Sequence, residues 1–245
     1  MATFPVFDSC TIFGPWPGRS ADLSVETLLK VMSANNIARS LATATHGIFY
    51  DFRQGNTLTL EAAKAHPQQL YPVGTLDPRA YPACLEEAEK RAAEGFRLFR
   101  FFPHYQQWPL NYAPFREIIN KCNELKVPIA VQVEDPGDCT VLADMVASFD
   151  IPLLLSGVRP GHLGEALAIM KNNPRFYLES TYLQGYAAFE TIRDAIPGGI
   201  ERVTFASFSP LRYLSAALGP VVSAKLTEDD KALILGGNLK RLLEK

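Results

Sequence analysis

Apolar positions along this chain fall into eight short β-rich runs, at 4–8, 37–43, 71–75, 96–101, 128–133, 151–155, 176–179 and 203–205. Between them lie stretches whose apolar residues recur every three or four positions, the spacing of one helix face. In SVETLLKVMSANN, Ser24 is placed to cap a helix on which Val25, Leu28, Leu29 and Met32 share a side. YPACLEEAEKRAAEG (81–95) sets Glu, Lys and Arg on its solvent side and ends at Gly95. APFREIINKCNELK, DCTVLADMVASF, GHLGEALAIMKNN and GYAAFETIRDAI repeat the scheme. Eight strand–helix alternations without a Ser/Gly-rich linker predict an α/β fold: one TIM-like (β/α)₈ barrel domain spanning 1–245. An open doubly wound sheet is the alternative, but no Gly-x-Gly-x-x-Gly follows the first strand.

In such barrels the chemistry gathers at the C-terminal ends of the strands. Three of the loops expected there are long and aromatic: IFGPWPGRSAD, HGIFYDFRQGN and FFPHYQQWPLNYAPF, which carry Trp16, Tyr50, Tyr105 and Trp108 among other rings. Loops of this kind suit a lid over the mouth or a contact with a second copy in a homo-oligomer; the blander reading is an apolar plug.

Composition narrows the classes. With 47% apolar and 20% charged residues, the 245-residue chain can bury a sizeable core. A net charge of −2 gives no electrostatic reason to expect nucleic acid or a membrane surface as partner. No run of about 18 apolar residues predicts a membrane span, and no basic, apolar leader is expected at the start. Cys10, Cys84, Cys122 and Cys139 lack Cys-x-x-Cys spacing, which argues against a disulfide scaffold or zinc knuckle and for a reducing, cytoplasmic setting.

The strand ends carry a further signal. FDSCTIFG at the first, LYPVGTLDPR at the third, GFRLFRFF at the fourth, PLLLSGVRPGHLGEALAIMKNNPRFYLE from the sixth to the seventh, GIERVTFASFSP at the eighth and the closing LILGGNLKRLL together resemble the amidohydrolase superfamily, in particular its amidohydrolase-related branch of hydrolases and decarboxylases. The resemblance implies a metal centre held by two histidines after strand one, a histidine each at strands five and six, and an aspartate after strand eight. This chain has Cys10, Ile12, Gln132, Ser156 or Gly157, and Phe208 at those places. Ile12 and Phe208 donate nothing, Gln132 and Ser156 are neutral, and Asp8 with Cys10 makes two ligands where zinc needs three or four. The expectation is therefore no metal and no other resident cofactor. A relocated site built on His46 or His104 with Asp8, Cys10 or Glu134 is the rival; a locally hydrogen-bonded loop histidine is the plainer reading of each. His66 and His162 read as helix-end residues.

Strand alternation predicts which polar groups face the mouth. With Ile129, Val131 and Val133 outward, Ala130, Gln132 and Glu134 turn inward; with Phe99 and Phe101 outward, Leu98, Arg100 and Phe102 do; Tyr177, Glu179 and Thr181 share a side. The predicted catalytic groups are Asp8, Glu134 and Glu179, as an acid–base set without metal. Arg100, Gln132, His46, His104, Cys10, Tyr50 and Trp108 are the predicted binding residues. Arg100 suits a two-point grip on a ligand carboxylate, or else an internal pair with Glu134 or Glu179. Cys10 is either a nucleophile needing a base such as His46 or a buried, inert thiol. Together these features point to a metal-independent hydrolase or decarboxylase of a small, carboxylate-bearing molecule. The alternative is a catalytically silent binding or assembly subunit on the same fold.

Overall fold

The protein is described here from a computed structural model covering residues 5–185 and 187–243. Phe4, where the first predicted strand begins, and Tyr186, in a predicted helix, lie outside these residues. All strand pairings are parallel. One sheet contains β1 (Val6–Phe13), β2 (Ile37–Ala44) and β3 (Leu70–Pro72). The other runs in order through β4 (Gly74–Thr75), β5 (Phe99–Phe101), β6 (Ile129–Gln132), β7 (Leu153–Ser156), β8 (Phe176–Glu179) and β9 (Val203–Thr204). The third predicted strand is thus split at Val73. Among the described residues the ladders do not form a continuous ring. Single backbone bonds bridge the seams: Ser9 N–H to Phe205 O at 2.8 Å, Phe208 N–H to Cys10 O at 2.8 Å, and Val73 N–H to Ala42 O at 3.0 Å.

β1 runs five residues beyond its predicted end. The polar FDSC stretch continues the strand instead of turning, because its side chains find partners across the barrel: Ser9 Oγ on Glu179 and Thr204, Thr11 Oγ1 on Ser40 and the Leu41 carbonyl. The turn comes at Gly14, whose φ of +100° favours glycine and whose absent Cβ would stand 2.7 Å from Thr45 Oγ1.

Helix boundaries follow their caps. Ser24 accepts from Thr27 N–H, and Asp51 accepts from Gln54 N–H ahead of the helix Phe52–Ala65. In the helix Ala83–Ala93 the predicted solvent face is not wholly wet. Glu87 and Arg91 are buried in a 2.6 Å ion pair, with Asn56 donating to Glu87 and Arg91 reaching Thr57 and the Arg53 carbonyl. The pair ties this helix to its neighbour, so an i,i+4 spacing that reads as surface decoration is internal.

Two apolar layers divide the strands. Val6, Phe99, Phe101, Ile129, Val131, Leu153, Leu155 and Leu178 pack outward against the helices. Phe7, Leu41, Val73, Leu98, Ala130, Leu154 and Tyr177 point inward and form the barrel floor, closed from below by Leu239 and Leu242 of the last helix, Asn238–Leu243. That helix is pinned by Asn238 Nδ2, which donates to the Ile200 and Val203 carbonyls. Among the described residues no helix is long and apolar enough to cross a membrane.

Candidate functional site

Two residues above each floor position, period-2 alternation brings up Ser9, Thr43, Thr75, Arg100, Gln132, Ser156 and Glu179, with Thr204 on the eighth side: an almost wholly polar tier. Its centre is an ion pair. Arg100 Nη1 and Nη2 each donate to a Glu179 carboxylate oxygen at 2.7 Å; Nη1 also reaches Ser156 Oγ at 3.2 Å and Nη2 the Ser9 carbonyl at 2.8 Å. Arg100 is 2% and Glu179 0% exposed. The guanidinium considered for a ligand carboxylate holds Glu179 instead, the internal pairing that the sequence also allowed.

Asp8 sits beside this pair. Its Oδ1 accepts from the Cys10 and Ser207 backbone N–H groups, and its Oδ2 from Ser207 Oγ. Burial pushes the Asp8 carboxyl up to about 7, against the pull of those donors and with a smaller upward push from Glu179. Burial also drives the Cys10 thiol far upward, only partly offset by Arg100, so it stays neutral and unreactive.

A roof of side chains closes the mouth above. Trp16 packs edge-on against Phe49, Tyr105 and Phe208 at centroid distances of 4.7, 5.0 and 5.7 Å, over Cys10, Ile12, Ile48 and Phe102. Phe208 adopts a left-handed φ of +58°, rare for a large side chain, which the Phe208 N–H bond to Cys10 O helps to hold. The long loops therefore plug the barrel with their own rings.

The remaining predicted residues lie elsewhere. Gln132, Glu134, His104 and Trp108 meet in a cleft between the loops after β5 and β6. Gln132 Nε2 donates to Glu134 Oε1 at 2.5 Å, while Glu134 Oε2 faces Arg159 at 3.3 Å and His104 Nε2 at 4.0 Å. Glu134 thus belongs to a different group from Asp8 and Glu179, and the three predicted carboxylates do not form one set. His46 and Tyr50 lie on and just past the short helix after β2, ring against ring at 5.2 Å, with Tyr50 exposed.

Sequence reasoning passed over Ser207, the main partner of Asp8, and Arg159, Tyr182 and Arg212. The Arg159 and Arg212 guanidinium carbons lie 5.6 and 4.4 Å from the Tyr182 ring centroid. The available signal was position: Arg159 in SGVRPG and Arg212 in SPLRY each follow a strand on the mouth side. Tyr105, beneath this group, has its hydroxyl pushed up to about 12, chiefly by burial and next by Tyr182, with the Gln132 amide pulling the other way.

Fold and strand-end geometry define a barrel of the metal-dependent-hydrolase kind, with aromatic side chains filling its mouth. A profile described as Amidohydrolase matches residues 11–245, and the chain belongs to the amidohydrolase family. Similar solved structures include 2,6-dihydroxybenzoate decarboxylase from Rhizobium, at 15% identity and TM-score 0.76 over 99% of both chains. Another is 5-carboxyvanillate decarboxylase from Novosphingobium aromaticivorans, complexed with manganese and 4-hydroxy-3-methoxy-5-nitrobenzoic acid, at 13% identity and TM-score 0.75 over 100% of this chain and 97% of that one. A third is a probable 2-pyrone-4,6-dicarboxylic acid hydrolase from Acinetobacter baumannii, at 12% identity and TM-score 0.75 over 99% of this chain and 100% of that one. No curated protein matches the chain.

The donor set does not fit the metal that the family resemblance implies. Ile12 and Phe208 are hydrocarbon and lie in the roof, Cys10 is held neutral, and Gln132 and Ser156 are engaged as neutral hydrogen-bonding groups. Among the described residues no group of three or more His, Cys, Asp or Glu side chains is placed to hold a metal ion.

Proposed function

We propose that this amidohydrolase-family protein binds a small carboxylate-bearing organic molecule at the barrel mouth without a divalent metal, and that it binds without turning it over. The observation that carries this reading is the closure of the inherited centre. Arg100 and Glu179 consume each other's charge in a two-point pair, Asp8 is saturated by Ser207 and Cys10, and aromatic rings roof the whole. A substrate would have to displace the roof and leave a buried charge unpaired, at a cost of several kcal/mol by order of magnitude.

Two cations at the mouth outside this centre are Arg159, which also faces Glu134 at 3.3 Å, and Arg212. Arg159 is half-exposed, and among the described residues no carboxylate pairs with Arg212. Two guanidiniums beside a tyrosine ring suit an aromatic acid: a planar fork for the carboxylate, a ring face for the ring. The decarboxylases similar in fold take their names from 2,6-dihydroxybenzoate and 5-carboxyvanillate, both carboxylated aromatics, which supports the same ligand class.

The test is calorimetric titration with benzoate and 2,6-dihydroxybenzoate, alongside an assay for released carbon dioxide. Saturable binding that Arg212→Ala weakens about tenfold, with no turnover, is the expected result. Binding indifferent to Arg212 and Arg159 would refute the site.

One observation favours a second reading, metal-independent turnover. An Asp8 carboxyl titrating near 7 is matched to proton transfer at neutral pH. Turnover abolished by Asp8→Asn, with ligand affinity retained, would establish that reading over binding alone.

A further inference from the structure

We infer that the N-terminal face of the barrel, opposite the mouth, binds a phosphate monoester with an apolar body. This goes beyond the carboxylate reading above and does not depend on it. One tier below the floor, period-2 alternation from Leu41 and Val73 brings down Arg39 of β2 and Tyr71 of β3. The last helix adds Lys240 and Leu243, and the segment before β5 adds Arg97. With Phe7 they enclose a cavity of about 200 Å³.

Three cations from separate parts of the chain thus converge on one small space, and among the described residues no carboxylate lines it. Elsewhere the arginines are balanced: Arg53, Arg79, Arg91, Arg159 and Arg193 each lie 2.6–3.8 Å from a carboxylate oxygen. Asp150, in the wall of the next cavity beyond Arg97, is already paired with Lys126 at 3.2 Å and faces Arg175 at 3.9 Å. Like charges gathered without a counter-ion repel, and an anion entering the cavity removes that cost.

Both guanidiniums are positioned without their charge being neutralised. Arg39 lies over the Tyr71 ring at 5.6 Å, and Tyr71 packs against Phe7 with centroids 5.4 Å apart. Arg97 Nη1 donates to the Leu243 carbonyl at 3.3 Å, which leaves the other N–H groups of its planar fork for an oxyanion. Two forks and an ammonium around one cavity match a dianionic phosphate better than a single carboxylate. A second cavity, of about 500 Å³, shares Phe7, Arg39 and Lys240 with the first. Its further walls are apolar, formed by Val6, Ala38, Ala232 and the backbone at Gly236 among others. The charged head and the carbon body of one ester therefore have adjoining places, the usual division of a small-molecule site.

The experiment is calorimetric titration of the intact protein with phenyl phosphate, with inorganic phosphate as the head-only control and benzyl alcohol as the body-only one. Phenyl phosphate is expected to bind saturably and at least tenfold more tightly than either control. Arg39→Ala and Arg97→Ala, at exposed positions, should each weaken it about tenfold and leave the melting temperature unchanged. Ala38→Trp, also at an exposed position, fills the apolar cavity and should reduce phenyl phosphate to the affinity of inorganic phosphate. Arg212→Ala should leave phenyl phosphate binding intact, so failure of the carboxylate site and failure of this one are separable. Binding no tighter than that of benzyl alcohol, undiminished in Arg39→Ala and Arg97→Ala, or lost in Arg212→Ala would overturn the inference. So would retention on phosphatidate vesicles without binding of phenyl phosphate, which would make a lipid surface the partner.

Discussion

At the scale of single residues, the centre is decided by which charges have partners. Removing one member of the Arg100–Glu179 pair leaves the other buried and uncompensated, so Arg100→Leu alone should cost about 3–5 kcal/mol. The double variant Arg100→Leu, Glu179→Leu should be more stable than either single one, because an apolar pair needs no compensation. Urea denaturation of all four proteins measures this, and simple addition of the two losses would contradict the pairing. Asp8 makes a pH prediction. Its folded-state pKa of about 7 lies above the ordinary 3.8, so the folded protein holds a proton that the unfolded chain has released between those values. Its contribution is therefore fully present below about pH 4, falls as pH rises, and levels off above pH 7. The total change is about 4 kcal/mol at most, from 1.36 kcal/mol per pH unit. Asp8→Asn should flatten the stability profile between pH 4 and 7 relative to the native protein; an unchanged slope would mean that Asp8 is ionised in the folded state.

Among the structural elements, the loops after β1, β2 and β5 act as one body through Trp16. Trp16→Ala should open the roof, and Cys10 reports on it, since all four cysteines are buried and Cys10 lies in the roof cluster. The native protein should resist a thiol reagent such as dithionitrobenzoate. The variant should label at one site, and Cys10→Ser should abolish that labelling. Labelling no faster than in the native protein would show that the ring is not the closure. Gly14 sets where β1 ends: Gly14→Ala forces a Cβ against Thr45 and holds alanine at a φ of +100°, and should lower stability by about 1–3 kcal/mol in thermal melts.

Over the whole molecule, barrel order and the inward and outward faces of the strands were legible in the sequence. Period-2 alternation and a chain-long family pattern carry that information. Pairings between distant elements were legible only in part. Strand alternation put Arg100 within reach of Glu134 or Glu179 without choosing between them, and nothing local in FASFSP says that Ser207 reaches Asp8 across 199 positions. Nor did the loop composition distinguish a lid from a plug, which depends on how Trp16 and Phe208 meet in space. The most direct test of a closed, metal-free centre is equilibrium dialysis against zinc and manganese followed by elemental analysis. Well under one equivalent of either ion should remain after washing, with the melting temperature unmoved. One equivalent retained and lost on Asp8→Asn would contradict the assignment of this centre as a structural core.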